Sequence, residues 1–396
     1  MLDLAYTDCQ NMSNASKLRV YVAMSGGVDS SVAAALLKKQ GYDVTGVFFK
    51  PWLSKDGRAF CNWQEDKRDA ARVAAKLGIK FKVWDFSKEY GNKVTKYMIS
   101  SYRRGVTPNP DVMCNKEIKF GLFLKKVLAE GADYIATGHY ARLCHRDANL
   151  RMHANNANKK INKFATFAWD LQHSHRIFHL LQARDKNKDQ SYFLWTLTQK
   201  QLKHCLFPIG DYTKPEVRKL AKRFGLHTHA KKDSQGVCFV GQLDVKEFLK
   251  GYIKPRAGEI KLLETGKIIG RHDGAYYYTI GQRHGLDIKI GGGPYFVASK
   301  DIKKNIIYVT TDEKNLASSV AEVGKISWIN QQPILPAKVG VKIRYRSKSM
   351  PAEIKKGAKP NILIIKFKKP ARAVTPGQSA VFYRGEVVLG GGVIMQ

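Results

Sequence analysis

Residues 25–30 read Ser-Gly-Gly-Val-Asp-Ser, and their flanks constrain the fold of everything around them. The apolar run at 18–24 has the length and composition of a buried strand. Residues 31–39 follow an amphipathic helical pattern that stops at Gly41. A strand that passes through a glycine turn into a helix N-terminus makes an anion site. The glycines let backbone N–H groups face a phosphate, and the helix end adds partial positive charge. Two glycines alone would suit an ordinary βα turn; the whole SGGxDS pattern between a strand and a helix argues for phosphate. No Lys follows the glycines, so the loop is not the Gly-Lys-Ser/Thr type whose Lys reaches the outer phosphates.

The first 140 residues alternate in period. Strand patterns at 43–49, 80–86 and 134–140 alternate with helical patterns at 65–77, 88–104 and 116–129. Alternating βα units predict a doubly wound parallel sheet that binds ligands at the carboxyl ends of its strands. The 25–30 loop, Phe49 and Gly138 all fall at such ends. Residues 145–180 lose periodicity and read as an inserted loop or ragged hairpin. Helical patterns follow at 190–203, 214–224 and 244–252. From 258 onward short strand patterns sit between glycine and proline turns, at 276–280, 294–298, 306–310, 341–346, 361–368 and 379–383. The expected fold is therefore α/β, a doubly wound parallel sheet followed by two small β-rich domains, the last a β-barrel. The expected divisions are a tail at 1–17, a nucleotide domain at 18–235, a central domain at 236–322 and a barrel at 323–396.

Charge narrows the class of partner. The chain of 396 residues carries 68 Lys+Arg against 33 Asp+Glu, a net charge of +35. Such a field attracts polyanions, nucleic acid first. Residues 340–372 hold 11 basic side chains and one acidic. A strand through 342–346 would put Lys342, Arg344 and Arg346 on one face, suited to a phosphate backbone or to a solvated, charge-protected edge. No apolar run approaches the roughly 20 residues of a membrane span, and the first residues lack a basic-then-apolar leader, so a cytoplasmic location is expected. The six cysteines form no CxxC pair, which argues against a zinc knuckle, and no resident metal set is read from the sequence.

Two cysteines have chemical surroundings. In Thr107-Pro108-Asn109-Pro110-Asp111-Val112-Met113-Cys114, two prolines stiffen the approach to Asp111 and Cys114. Cys114 is expected about one turn before a helix, where the helix end and Lys116 favour thiolate. Asp111 offers a general acid or base three residues away. Cys238 lies between Gly236 and Gly241 in a loop pattern. Two loop thiols beside a nucleotide site fit sulfur transfer, with a persulfide on one and resolution by the other. A buried structural Cys in a turn is the plain alternative for either one.

The phosphate loop resembles that of the ATP pyrophosphatases, which activate an oxygen by adenylylation. The chain as a whole resembles the tRNA-specific 2-thiouridylases. The carriers are AMSGGVDSS at 23–31, NPDVMCNKEIKFG at 109–121, ATGHYAR at 136–142, KDQSYFL at 188–194, SQGVCFVG at 234–241 and TIGQRHGL at 279–286. The resemblance implies an adenine nucleotide α-hydrolase-like first domain that uses ATP with magnesium. It assigns ATP to Ala23, Met24, Ser25, Gly26, Gly27, Val28, Asp29, Ser30, Phe49 and Gly138. It gives the target uridine to Asn109, Pro110 and Asp111. Other tRNA contacts fall to His139, Lys188, Asp189, Gln190, Arg344, Tyr345 and Gln378. It makes Cys114 the nucleophile and Cys238 the persulfide carrier, loaded by a separate sulfur donor. Another adenylylating enzyme, of lysidine synthetase or amide ligase type, would share the loop without needing both thiols. A non-enzymatic RNA-binding protein would account for the charge and not the loop.

Overall fold

A computed structural model describes residues 17–53, 63–147, 176–232 and 245–395. Its first part is a five-stranded parallel sheet in the order Lys80–Asp85, Asp43–Lys50, Arg19–Met24, Tyr134–Thr137, Cys205–Leu206. The central strand is apolar on both faces, with Val20 and Val22 fully buried, because helices cover both sides of such a sheet. The chain builds outward to Lys80–Asp85 and then returns to the other side of the first strand. That reversal opens a crevice between the ends of Arg19–Met24 and Tyr134–Thr137. Helix Val28–Lys39 rises directly from it and packs through Val32, Ala33 and Ala34, small enough to sit close on the sheet. The expected parallel α/β unit is present.

Two helices depart from their expected form. Residues 87–103 are one continuous helix whose second turn widens into a π segment at Gly91–Thr95. A side chain at Gly91 would meet the Trp52 indole nitrogen at 2.8 Å. The helix expected from 116 starts at Pro110 instead. Asn109 is its N-cap, its Oδ1 accepting from the Val112 amide at 3.3 Å, and proline occupies the first position, where no amide is needed. Cys114 therefore lies inside the helix rather than a turn before it, which removes the helix-end argument for its thiolate.

The helix expected at 190–203 is two short pieces, Ser191–Phe193 and Gln199–Leu202. Side chains between them reach outward. The Tyr192 hydroxyl donates to the Ser379 carbonyl at 2.9 Å and Trp195 Nε1 to Ser379 Oγ at 3.0 Å. Tertiary bonds to the barrel thus override helical periodicity.

Six antiparallel strands, Ala317–Trp328, Leu363–Arg372, Met350–Lys356, Ala337–Lys342, Ser379–Arg384 and Val387–Ile394, close into the C-terminal barrel. The aperiodic stretch proves to begin and end as a hairpin, Ala141–Asp147 against Arg176–Gln182. This hairpin joins the barrel through Leu181 opposite Val387; residues 148–175 lie outside the described part. A four-stranded sheet, Phe296–Asp301, Ile306–Thr310, Gly258–Leu262 and Ile268–His272, forms the central unit.

One expected strand is absent and another stops short. Residues 276–280 begin in a 3-10 turn, Ala275–Tyr277, because the Tyr276 and Tyr277 hydroxyls are tied to the Lys254 and Ile253 carbonyls. The strand expected at 341–346 ends at Lys342, and Arg346 has a left-handed φ of 62°. The basic stripe is consequently no strand face. Lys342 turns inward and donates to Asp189 Oδ2 at 2.9 Å, with side-chain exposures of 11% and 1%. Arg344 is held among carbonyls. Arg346 lies over the Tyr345 ring.

The Asp189–Lys342 pair spans 153 residues and joins the first domain to the barrel. Removing one member strands a buried charge, so Lys342→Met is expected to cost about 3–5 kcal/mol in urea unfolding. The double variant Asp189→Asn/Lys342→Met should recover part of that loss. A single variant as stable as the parent would show that the pair does not tie the domains.

Candidate nucleotide and sulfur-transfer site

The phosphate turn is held open by its own hydroxyls. Ser30 Oγ accepts from the Ser25 amide at 3.1 Å and donates to the Gly27 carbonyl at 3.2 Å; Ser31 Oγ donates to the same carbonyl at 2.8 Å. Gly26 has a φ of 74°, and a Cβ there would lie 2.2 Å from the Asp66 carbonyl oxygen. Gly138 approaches from the neighbouring strand so closely that a Cβ would stand 2.7 Å from the Ser30 nitrogen. Both positions therefore exclude side chains, one by conformation and contact, the other by contact. Ser25 is exposed, Gly27 and Asp29 partly so, and Met24, Val28 and Ser30 are buried beneath them. The turn faces outward at the reversal point of the sheet, where an anion can reach its amides.

A lysine from elsewhere in the chain meets the motif through Asp29. Lys214 opens helix Lys214–Arg223, and its Nζ lies 2.8 Å from both Asp29 carboxylate oxygens. The Tyr140 hydroxyl donates to Asp29 Oδ1 at 2.9 Å. Lys214 is nearly buried, and its own amide donates to Asp185 Oδ2 at 2.9 Å. Asp185 Oδ1 also accepts from the Lys188 amide at 3.2 Å, so the Lys188-Asp189-Gln190 loop braces the lysine that meets the phosphate turn. Sequence reasoning missed Lys214. Its only signal was the capping box, Thr213 with Glu216, which marks a helix start but not what the helix faces.

Beside Gly26, Lys231 bridges Asp66 at 2.8 Å and Asp69. Burial works upward on the Asp69 carboxyl, yet hydrogen bonds from Lys231 and His227 keep it below its ordinary range. Lys231 thereby anchors the chain at the phosphate turn seven residues before Cys238. Cys238 and Cys61 lie outside the described residues.

The Asn109–Cys114 segment, an N-cap and one helical turn, packs where the first domain meets the barrel. Gln378 of the barrel donates to the Thr107 and Pro108 carbonyls at 3.1 and 3.0 Å, and the Thr107 amide donates to the Pro376 carbonyl at 3.1 Å. The turn is thus positioned by the barrel rather than by its prolines alone. Asp111 is partly exposed; Cys114 is fully buried in a core cluster that also contains Phe49 and Val112. Phe49 sits edge-on to Phe123 at 4.8 Å and Phe86 at 5.4 Å, leaving chiefly its backbone for a nucleotide. Cys114, Cys144 and Cys205 are in no disulfide among the described residues.

Several expected tRNA contacts face inward. The Asp189 carboxylate is buried on Lys342 and the Ala183 and Ser191 amides. His139 is buried, Nδ1 against Thr137 Oγ1 at 2.8 Å; burial, with Lys119 adding, holds it well below its ordinary range, so it is neutral. Gln190 Oε1 accepts from the Tyr140 amide at 2.9 Å. Arg344 donates to the Ile280 carbonyl at 2.8 Å, the Ala373 carbonyl at 3.2 Å and Thr375 Oγ1 at 2.9 Å, joining the TIGQ loop to the barrel. Lys188 and Tyr345 are partly exposed and Arg346 is exposed. No group of metal-ligating side chains stands out among the described residues.

Comparison with known proteins follows the same three-part division. Residues 18–242 match the family described as tRNA methyl transferase HUP domain. Residues 246–311 match its PRC-barrel domain and 318–394 the aminomethyltransferase β-barrel domain. The chain is 46% identical over 379 residues to tRNA-specific 2-thiouridylase MnmA 2 of Geobacillus kaustophilus, covering 95% of this chain and 94% of that one. It is 44% identical over 393 residues to tRNA-specific 2-thiouridylase MnmA of Pediococcus pentosaceus, covering 97% and 96%. With the phosphate turn, the Asn109–Cys114 turn and the barrel that positions it all inside that alignment span, the chain belongs to the tRNA-specific 2-thiouridylase family.

Proposed function

We propose that this chain thiolates carbon 2 of the wobble uridine of tRNA at the expense of ATP. The observation that carries this reading is the end-to-end similarity to 2-thiouridylases at 44–46% identity. The phosphate turn and the Asn109–Cys114 segment are the two parts of the chain that this reading assigns to ATP and to the target base.

The uridine O2 attacks the α-phosphate, the α–β bond breaks, and pyrophosphate leaves into the amides of residues 25–30. Lys214 balances the charge on that leaving group. Asp29 and the phosphate oxygens are the hard donors that would hold magnesium, which when bound neutralises phosphate charge. The activated carbon 2 then takes sulfur from a persulfide on Cys238, directly or as hydrosulfide. Asp111 carries the proton. Cys114 attacks the inner sulfur of the persulfide, forming the Cys114–Cys238 disulfide as the outer sulfur departs with its electron pair. AMP leaves carbon 2, and an external thiol reductant restores both cysteines. A persulfide donor protein reloads Cys238. The setting is the cytoplasm, where tRNA and thiol reductants coexist; no helix among the described residues is long and apolar enough to cross a membrane.

Mass spectrometry of tRNA nucleosides after incubation with ATP, magnesium and sulfide tests the activity. 2-Thiouridine at the wobble position is expected; ATP-dependent modification of another base or atom would overturn the reading.

The basic side chains divide by what they touch. Arg346→Ala is expected to lower the salt slope of tRNA binding by about one phosphate contact with little change in stability. Arg344→Ala should instead lower the melting temperature, since it removes three bonds at a domain junction. Equal slopes for Arg346→Ala and the parent would place Arg346 outside the tRNA footprint.

A further inference from the structure

A cleft of ≈ 380 Å³ opens on the other side of the helix that carries Cys114, where the helix meets the barrel. At 100° per residue, Asp111 and Cys114 share one side of this helix, and Met113 and Lys116 share the opposite one, with the extended N-cap Asn109 at its start. The cleft belongs to the second set. Its walls are Tyr97, Met113, Trp195 and Ile326, flat or flexible apolar groups. Its floor includes Thr196, whose Oγ1 is buried without a hydrogen-bond partner. Lys116 and Lys325 stand on its lining, and no described lining residue carries a carboxylate. Lys325 is exposed, in a left-handed conformation with φ 50°, at the register shift between Gly324 and Ser327 that lifts it from the barrel strand.

We propose that this cleft seats a second nucleotide of the RNA, one adjacent to the target uridine. The proposal rests on the thiolation reading and names a further part of its substrate site. Aromatic and thioether walls fit a base face, and single-stranded RNA is held by such stacking. Lys325, exposed, and Lys116, whose ammonium lies 3.9 Å from Glu117, suit the phosphate joining one nucleotide to the next. Asn109 lines the cleft and Asp111 lies two residues on, facing away, so neighbouring bases splay to opposite sides of one helical turn. A volume of this size is in the range of small-molecule sites. Splaying also unstacks the target, which base-modifying chemistry requires.

The test uses the full chain and an anticodon stem–loop hairpin. Each nucleotide flanking the target is replaced in turn by 5-bromouridine, and crosslinks are mapped by mass spectrometry. One flanking position should crosslink to Trp195, Tyr97 or Met113. Val393→Phe, which fills the cleft from the barrel side, should abolish that crosslink and weaken hairpin binding about tenfold, the worth of one stacked base. Lys325→Gln, a surface change that leaves packing intact, should lower the salt slope by about one. Thiolation of the hairpin without a cleft crosslink, or unchanged affinity in both variants, overturns the proposal. A cleft crosslink on a hairpin that is never thiolated keeps the cleft and overturns the thiouridylase reading instead.

Discussion

Cys114→Ser is expected to stop persulfide-dependent thiolation, a fall on the order of a thousandfold or more, as loss of a nucleophile that acts with a partner implies. Pyrophosphate release should persist, because no part of the phosphate turn is touched. Cys238 should still accept labelled sulfur from a donor, visible on nonreducing gels, whereas Cys238→Ser should not. Label on Cys114 in the parent would reverse the two roles. The burial of Cys114 adds a chemical readout. Its alkylation without substrates should be slower than that of Cys144, which is half-buried on the hairpin. Cys144→Ser serves as the control with full thiolation. Full thiolation by Cys114→Ser with a physiological donor would remove the two-thiol mechanism.

Lys214→Met should lower RNA-dependent pyrophosphate release by about 10²–10³, the usual size of a lost charge-stabilising donor. The loss should fall mainly on kcat, since the developing charge is on the leaving group, and tRNA affinity should hold. Lys214→Arg should restore part of the rate. Asp29→Ala should abolish release with tRNA affinity kept, because its carboxylate holds Lys214 and Tyr140 at the phosphate turn. A lysine that only braces Asp29 would behave otherwise: Lys214→Met would then lower the melting temperature and leave kcat unchanged. Measuring both quantities on both variants separates the two roles.

The first domain was legible because its signals are local. A strand apolar on both faces, a glycine turn and an alanine-rich helix specify one βα unit from some twenty consecutive residues, and the repetition of that unit specifies a parallel sheet. The phosphate turn was legible for the same reason, since its hydroxyls bond within five residues. Barrel strands that are short apolar runs, such as Ser379–Arg384 with five consecutive buried residues, were legible too. The failures occur where distant groups compete for backbone or charge. The run at 276–280 has strand composition, yet two tyrosine hydroxyls bound to carbonyls more than twenty residues away hold it in a tight turn. The run at 190–203 has helical composition, yet Tyr192 and Trp195 reach Ser379. Alternation at 342–346 suggested a basic strand face, but a charge cannot be assigned to a surface until its partner is known.

Linear sequence by itself determined that this chain has an α/β domain with a phosphate-loop pattern, a β-rich remainder and a strongly basic character. Each follows from composition or from periodicity over a few turns. It put Cys114 in a loop, where the structure has a helix. Only the tertiary structure decided that Lys214 meets Asp29 across 185 residues, that Asp189 is buried on Lys342, and that Gln378 holds the turn bearing Asp111 and Cys114. The physical reason is the same in each case. Charge pairing and buried hydrogen bonds depend on distance in space and on exclusion of water, and neither quantity exists until the domains have packed together.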